Sequence, residues 1–333
     1  MAKKIAINGF GRIGRLTFRN LLKKEGIEVV AINDLTDNAT LAHLLKYDSA
    51  QGPFEGTVEA TADALIVNGK KIVCLSERNP EALPWAAHGI DLVLECTGRF
   101  VTKEAAGMHI KAGAKDVLLS APGKGDGIQT IVMGVNDQEL DRRANVFSNA
   151  SCTTNCLAPL VKIIHDNYGI QLGSMTTIHA YTADQQLQDA PHSDLRRARA
   201  AAYNIVPTST GAAAAVSLVY PAIGKKLSAI AVRVPVITGS MVELNVVLDK
   251  VPGSEAEVNA KFKAAADGPM KGVLYYTEDP IVSGDIIRNP YSSVFDSLMT
   301  DINGNMLKVV SWYDNEAGYS ARLADLAHLI CTK

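Results

Sequence analysis

Near its start the chain runs through the apolar segment Lys4-Ile5-Ala6-Ile7 into Asn8-Gly9-Phe10-Gly11-Arg12-Ile13-Gly14, after which Ile13, Leu16, Phe18, Leu21 and Leu22 recur at a roughly helical period. A strand, a glycine turn and a helix in that order leave few folds open. Gly9 permits a tight turn, Gly11 lets backbone approach a pyrophosphate, and Gly14 lets helix pack on strand. The unpaired N–H groups of the helix start then face the phosphates. A bare G-x-G-x-x-G is weak evidence, and this one takes its weight from the strand before it and the helix after it.

A second strand, Val29-Val30-Ala31-Ile32, ends in Asn33-Asp34, about twenty residues past the glycines. A carboxylate there accepts both ribose hydroxyls and repels a 2′-phosphate, so NAD is expected over NADP; taken alone, Asp34 would also serve as a turn residue. Residues 65–73 carry an Asn68-Gly69 hairpin signal and read as a side excursion outside the parallel core. Strands over 92–98 and 116–120, with a helix over 103–112 between them, put Thr97, Gly98 and Ser120 at strand carboxyl ends, where open α/β sheets bind ligands. Each of the three could equally be a plain loop residue. A further strand over 130–135 closes the first domain near Asn149.

The next stretch, Ser148-Asn149-Ala150-Ser151-Cys152-Thr153-Thr154-Asn155-Cys156, opens an apolar-periodic run. Cys152 stands at a helix N-terminus, where orphan N–H groups and the macrodipole favour negative charge and should lower a thiol pKa. The alternative is a buried cysteine in an ordinary helix start. Cys156, a turn further in, gains less and reads as a packed neighbour. The helix should stop at Asn167-Tyr168-Gly169, with a kink or a late start at Pro159. A strand over 171–182 holds His179, which is either structural or, paired with the thiol, an imidazolium that stabilises a thiolate and shuttles protons. Alternation then fails over 183–203, around Pro191, His192 and the cluster Arg196, Arg197 and Arg199, a loop long enough to be functional or an interface, although charge clusters are also ordinary solvated faces.

Residues 207–216 read as another capped helix start and hence a second anion-friendly terminus. Strands over 229–234, 242–248, 273–277, 293–298 and 307–313 then dominate, interrupted by a helix over 254–266 with a Ser254/Glu257 capping box. Strands in succession argue for a mostly antiparallel sheet covered on one side by helices. Arg233, on one of them, wants a carboxylate or a phosphate. An amphipathic helix over 317–330 ends the pattern. The fold class is thus an α/β Rossmann dinucleotide-binding domain, residues 1–149 with the 317–333 helix packed back on it, plus an α+β catalytic domain over 150–316.

With 333 residues the chain can bury two cores, and a formal net charge of −2 gives no footprint for nucleic acid or an anionic membrane. Any anionic ligand must be held by local groups. Cys74, Cys96, Cys152, Cys156 and Cys331 form an odd, scattered set, which fits a reducing cytoplasmic compartment better than a disulfide framework. The C-x-x-x-C spacing matches neither a redox pair nor a zinc pair, so no metal site is expected. No run approaches the ~18 apolar residues of a membrane span, and no signal-peptide pattern opens the chain.

Together, the 8–15 glycine segment, the 148–156 segment, Thr177-Ile178-His179-Ala180-Tyr181-Thr182, Thr210-Gly211-Ala212-Ala213, Arg233-Val234-Pro235 and Trp312-Tyr313-Asp314-Asn315-Glu316 resemble the phosphorylating glyceraldehyde-3-phosphate dehydrogenases over essentially the whole chain. The resemblance implies Cys152 as nucleophile and His179 as its activating base. It implies that Ser151, Thr153, Thr182, Arg197, Thr210, Gly211 and Arg233 hold the phosphates of substrate and attacking phosphate. It also implies that Arg12, Ile13, Asp34, Arg78, Thr97, Ser120 and Asn315 contact NAD, with Asn315 on the nicotinamide carboxamide. The irregular 183–203 segment resembles a loop that lines a neighbouring subunit's cofactor site in a homotetramer.

The activity so implied is NAD-dependent oxidative phosphorylation of glyceraldehyde 3-phosphate to 1,3-bisphosphoglycerate, as in glycolysis, through a thiohemiacetal and a thioester on Cys152. The alternatives are an erythrose-4-phosphate dehydrogenase, which releases its acid by hydrolysis, an NADP-using triose-phosphate dehydrogenase, and, from another class, a dinucleotide-binding protein whose main role is binding RNA. Near-neutral charge gives the last no support. Departures from the family pattern fall at Ala214, at Ala317, along Val236-Ile237-Thr238-Gly239-Ser240-Met241, and at Ala190, whose small side chain weakens the steric argument against NADP.

Overall fold

The computed structural model describes residues 2–333, which divide into two compact units. The first takes the chain up to Ile131, then Gln138–Ala150 and Ser320–Lys333; the second takes Val132–Asp137 and Ser151–Tyr319.

In the first unit β1 (Lys3–Asn8) leads through the glycines into α1 (Arg12–Leu21), whose buried Gly14, Leu16, Phe18 and Leu21 make its core-facing stripe. The chain continues through β2 (Ile27–Asn33), α2 (Asn38–Lys46), β3 (Val58–Ala60), β4 (Ala64–Val67) and β5 (Lys70–Leu75). It returns as α3 (Trp85–His88), β6 (Leu92–Glu95), α4 (Lys103–Lys111), β7 (Asp116–Leu119), β8 (Gln129–Thr130) and β9 (Val146–Ser148). Among the described residues these strands form one sheet in the order β3-β4-β5-β2-β1-β6-β7-β9-β8. β1 pairs in parallel with β2 on one side and β6 on the other, so the connections reverse direction at β1 and open a crevice at the strand carboxyl ends.

Two expectations need correction here. The 65–73 hairpin does turn at Asn68-Gly69, with φ of 50° and 78°, but β5 also pairs in parallel with β2, so the hairpin extends the sheet instead of leaving it. The 130–135 strand is only β8: the main chain turns after it, where Asn136 Oδ1 accepts from the Val132 N–H at 2.8 Å and Gly134 takes φ of 78°. The parallel partner of β7 is β9, a strand too short to show a period.

The second unit opens with α5 (Cys152–Tyr168), followed by β10 (Ile170–Ala180), β11 (Val206–Ser209), α6 (Ala212–Val219), β12 (Leu227–Val234), β13 (Ser240–Leu248), α7 (Glu255–Asp267), β14 (Leu274–Thr277), β15 (Ser293–Asn303) and β16 (Met306–Tyr313). Their sheet, ordered β11-β12-β10-β13-β16-β15-β14, is antiparallel except at β10/β12 and β14/β15. α5 lies against β13, β15 and β16 and meets α6 and α7 on that face, where Phe262 of α7 stacks on Phe295 of β15 at 3.8 Å. α5 starts at Cys152 and runs unbroken through Pro159, so the late start is not found: the Ser151 cap and near-complete burial of 153–161 hold the helix despite proline's missing N–H.

The capped start expected over 207–216 is instead β11 followed by α6, whose N-cap, Gly211, offers no side-chain bond. The alternation of Val206 and Thr208, both buried, with exposed Pro207 and Ser209 is the strand signal that the helix-like alanines obscured. The Ser254 cap forms as expected, and Glu257 reaches back to the Gly253 N–H at 2.8 Å. α8 (Ala317–Thr332) ends the chain; its Asp325 binds Lys24, just past the end of α1, at 2.5 Å within the first unit.

Candidate active site

The thiol and the imidazole meet in the second unit. Ser151 caps α5 by accepting the Thr154 N–H at 3.1 Å, which fixes half-buried Cys152 in the first turn, and Cys152 Sγ lies 3.5 Å from His179 Nε2. His179 stands one residue before the end of β10, its Nδ1 2.6 Å from the Ala180 carbonyl oxygen, so the ring hydrogen sits on Nδ1 and Nε2 is left to accept the thiol proton. Ala150, just before the cap, takes φ of 54°, a left-handed conformation that costs a non-glycine residue about 1 kcal/mol and marks a strained entry to the helix.

Arg233 is brought in by register, since it pairs with His179 across β10/β12. Its Nη1 donates to the Ala180 carbonyl and to Thr182 Oγ1, at 3.2 and 3.3 Å, and lies 3.2 Å from His179 Nδ1; its Nε is buried without a partner. Among the described residues no carboxylate lies within ion-pair distance of it, and Asp184 acts on it only through its charge at longer range. Burial and the Arg233 charge together press His179 down to about 3, so the ring as packed is a base facing the sulfur, not the standing imidazolium that the sequence suggested. The thiol is likewise corrected: burial raises it, against the Arg233 charge and the Thr153 hydroxyl and amide, which pull it down. Cys156 is fully buried against Ser293 and pushed up to about 12, a packed neighbour as expected.

Arg197 sits in the irregular 183–203 loop, with Nη1 on Asp184 and Nε on Thr208 at 3.0 Å, and its Nη2 lies 3.5 Å from the Ser209 carbonyl, next in the chain to Thr210, whose Oγ1 accepts the Ala212 N–H at 3.3 Å, and Gly211 at the start of α6. Its positive charge acts on both His179 and Arg233. Ser151 and Thr153 are already engaged, the first as the cap, the second with Tyr313 at 2.9 Å.

Tyr313 is the residue that reasoning from sequence passed over. Fully buried at the end of β16, it joins Thr153 to Thr177, with its hydroxyl 2.8 Å from the latter, and sets its ring edge-on to His179 at 5.9 Å. Only the pairing of β13 with both β10 and β16 brings it there. Asn315 Oδ1 receives two donors, Ser240 Oγ at 2.9 Å and the Gly239 N–H at 3.2 Å, while the Thr238 hydroxyl beside it donates to Asp314 Oδ1 at 2.8 Å, so the Asn315 amide nitrogen is the atom turned away from these donors. The divergent 236–241 stretch thus supplies the groups that orient Asn315.

The first unit carries a cleft of about 570 Å³ at the carboxyl ends of its central strands, lined by Gly9, Gly11, Asp34, Arg78, Thr97 and neighbours. A cleft at the carboxyl ends of a parallel sheet is where such sheets bind dinucleotides. A Cβ on Gly9 would stand 2.8 Å from the Thr97 nitrogen, one on Gly11 would meet nothing, and α1 starts at Gly11 with no side-chain cap and no acid in its first turn. Asp34 is braced by the Phe10 N–H at 2.7 Å. Arg12 and Ile13 form the first turn of α1, where Arg12 pairs with Asp48 at 2.8 Å. Ser120 follows β7, its N–H on the Glu95 carbonyl at 2.9 Å.

A dinucleotide-binding α/β unit followed in the chain by a thiol, a base and an arginine is a layout compatible with a nicotinamide-dependent oxidoreductase. Residues 3–103 match the family model described as the NAD binding domain of glyceraldehyde 3-phosphate dehydrogenase, and 151–315 match its C-terminal domain. Glyceraldehyde-3-phosphate dehydrogenase of Geobacillus stearothermophilus is 56% identical, over 100% of this chain and 99% of the relative, and that of Mycobacterium avium is 55% identical, over 99% of each. The chain belongs to the glyceraldehyde-3-phosphate dehydrogenase family. Among the described residues no helix is long and apolar enough to cross a membrane.

Proposed function

We propose that the protein oxidises D-glyceraldehyde 3-phosphate to 1,3-bisphosphoglycerate with NAD and inorganic phosphate, in the cytoplasm, as a step of glycolysis. The observation that carries this reading is the 3.5 Å approach of Cys152 Sγ to His179 Nε2 beside Arg233. Residues 1–149 with the C-terminal helix serve as the NAD domain, through Gly9, Gly11, Arg12, Ile13, Asp34, Arg78, Thr97 and Ser120, and 150–316 serve as the catalytic domain, with Asn315 toward the nicotinamide.

As the sulfur adds to the aldehyde carbon, His179 Nε2 takes the thiol proton, and the new oxyanion is held by the Cys152 backbone N–H and by the protonated ring. The ring passes its proton to that oxygen and later removes it again, when the carbon gives up its hydride. NAD, when bound, supplies the hydride acceptor. Ser151, Thr153, Thr182, Arg197, Thr210, Gly211 and Arg233 hold the two phosphates, so that phosphate rather than water reaches the thioester at high effective concentration and releases the Cys152 thiolate. Asp34 favours NAD over NADP.

A homotetramer completes the reading. The second sheet has its helices on one face, yet Leu172 and Ile230 on its strands are 58% and 51% exposed, and the irregular loop exposes Leu187, Leu195 and Tyr203 at 81% or more, apolar surface that neighbouring copies would cover. The test is NADH formation on adding glyceraldehyde 3-phosphate. A single burst without phosphate and continuous turnover with it are expected, with NAD preferred to NADP at equal concentration. Turnover indifferent to phosphate would overturn the reaction, and Cys152→Ser should abolish the burst while leaving NAD binding intact.

A further inference from the structure

A chain of buried polar side chains crosses the first sheet just beneath its cleft. Asn33, Asn8 and Glu95 are the last residues of β2, β1 and β6 and lie side by side in register. Asn33 Nδ2 donates to Asn8 Oδ1 at 2.7 Å, and Asn8 Nδ2 donates to Glu95 Oε2 at 2.6 Å. The other Glu95 oxygen accepts the Thr97 N–H at 2.8 Å and the Thr97 hydroxyl. From α4, His109 Nε2 approaches Glu95 Oε2 at 3.1 Å, and from α3 the Trp85 indole N–H donates to His109 Nδ1 at 3.0 Å.

The donor inventory fixes the arrangement. An indole nitrogen only donates, so Nδ1 is an acceptor and the ring hydrogen sits on Nε2, aimed at Glu95. Asn8 and His109, 3.4 Å apart, are then two donors sharing one oxygen. Glu95 receives four donors, the full capacity of a carboxylate, and at 1% exposure it has nothing left for a ligand. His109 and Trp85 are at 0%. A polar network so deep is costly if half-satisfied, and an apolar packing would have served the sheet alone.

Its position gives it a use. The network bridges β1 to β6, where the connections reverse and the strand ends part, and both exits line the cleft: Asn8 and Gly9 on one side, Thr97 on the other. The exits nearly touch, with a Gly9 Cβ position 2.8 Å from the Thr97 nitrogen, so a shift of Thr97 changes the cleft directly.

We propose that Glu95 and His109, steadied by Trp85, are positioning residues for the dinucleotide: they hold the Thr97 segment at a fixed distance from the Gly9 turn and so set affinity for NAD without touching it. The proposal rests on the NAD-binding reading above. It is tested by titration calorimetry of NAD against the full-length protein and its variants, alongside steady-state kinetics and alkylation of Cys152 without NAD. His109→Leu, which deprives Glu95 of a donor and Trp85 of its acceptor, should weaken NAD binding about tenfold and raise KM for NAD to match. KM for glyceraldehyde 3-phosphate, kcat and the alkylation rate should stay within about twofold. His109→Gln, which keeps an N–H donor toward Glu95, should recover most of the affinity. Trp85→Phe, expected to cost about threefold, makes the same comparison should the leucine variant fail to fold. NAD affinity within twofold of the parent in folded His109 and Trp85 variants would overturn the proposal while leaving the NAD reading intact. A parent protein that does not bind NAD would overturn that reading, and the proposal with it.

Discussion

At the scale of single residues, the geometry around Cys152 turns on one proton. The Nδ1 contact with the Ala180 carbonyl leaves Nε2 as acceptor, and Arg233 adds a positive charge that opposes protonation of the ring. The consequence for stability has a definite sign. An unfolded histidine takes up its proton near 6.5 and this ring only near 3, so between those values the unfolded chain binds more protons and stability falls as pH falls. His179→Gln should therefore flatten the decline of melting temperature between about pH 6.5 and 3, and an unchanged slope would contradict the buried, unprotonated ring. Cys152 and His179 were legible from sequence because a thiol at a helix start and a histidine on a strand are local signals. Tyr313 was not, because its role comes from strand pairing between segments more than a hundred residues apart.

Among the elements, two helix starts do most to place the chemistry. α5 begins at a side-chain cap that also positions the nucleophile, so Ser151→Ala should cost about 1 kcal/mol in urea unfolding and slow alkylation of Cys152. An unchanged midpoint would show that packing alone holds the turn. α1 follows its N-cap Gly11 with no side-chain cap bond, and Gly14 packs so closely that a Cβ would lie 2.3 Å from the Gly9 carbonyl oxygen. Gly14→Ala must displace main chain, at a cost of about 1–3 kcal/mol, and NAD affinity should fall at least tenfold; affinity equal to the parent's would mean that the turn relaxes freely. Long periodic elements were readable in the sequence, while β8, β9 and β11 were not, since two to four residues show no period and the alanines after β11 suggest a helix.

For the whole molecule, the apolar residues left outside both cores carry the prediction. Leu195 and Ile205, 81% and 70% exposed, should be covered in the assembled protein, so Leu195→Asp with Ile205→Asp should lower the sedimenting mass without loss of far-ultraviolet circular dichroism. A parent protein that sediments as a single chain would remove the basis for the homotetramer. The sequence by itself determined the glycine turn with its carboxylate partner, the thiol at a helix start, the succession of strands and the family they resemble, because each is a contiguous segment whose residue types have few other uses. Only the tertiary structure decided that the 65–73 hairpin joins the parallel sheet, that Arg233 faces His179 instead of a carboxylate, and that Glu95, His109, Trp85 and Asn8 share one buried network. Those contacts depend on strand order and register, which pair residues far apart along the chain and leave no spacing in the sequence to be read.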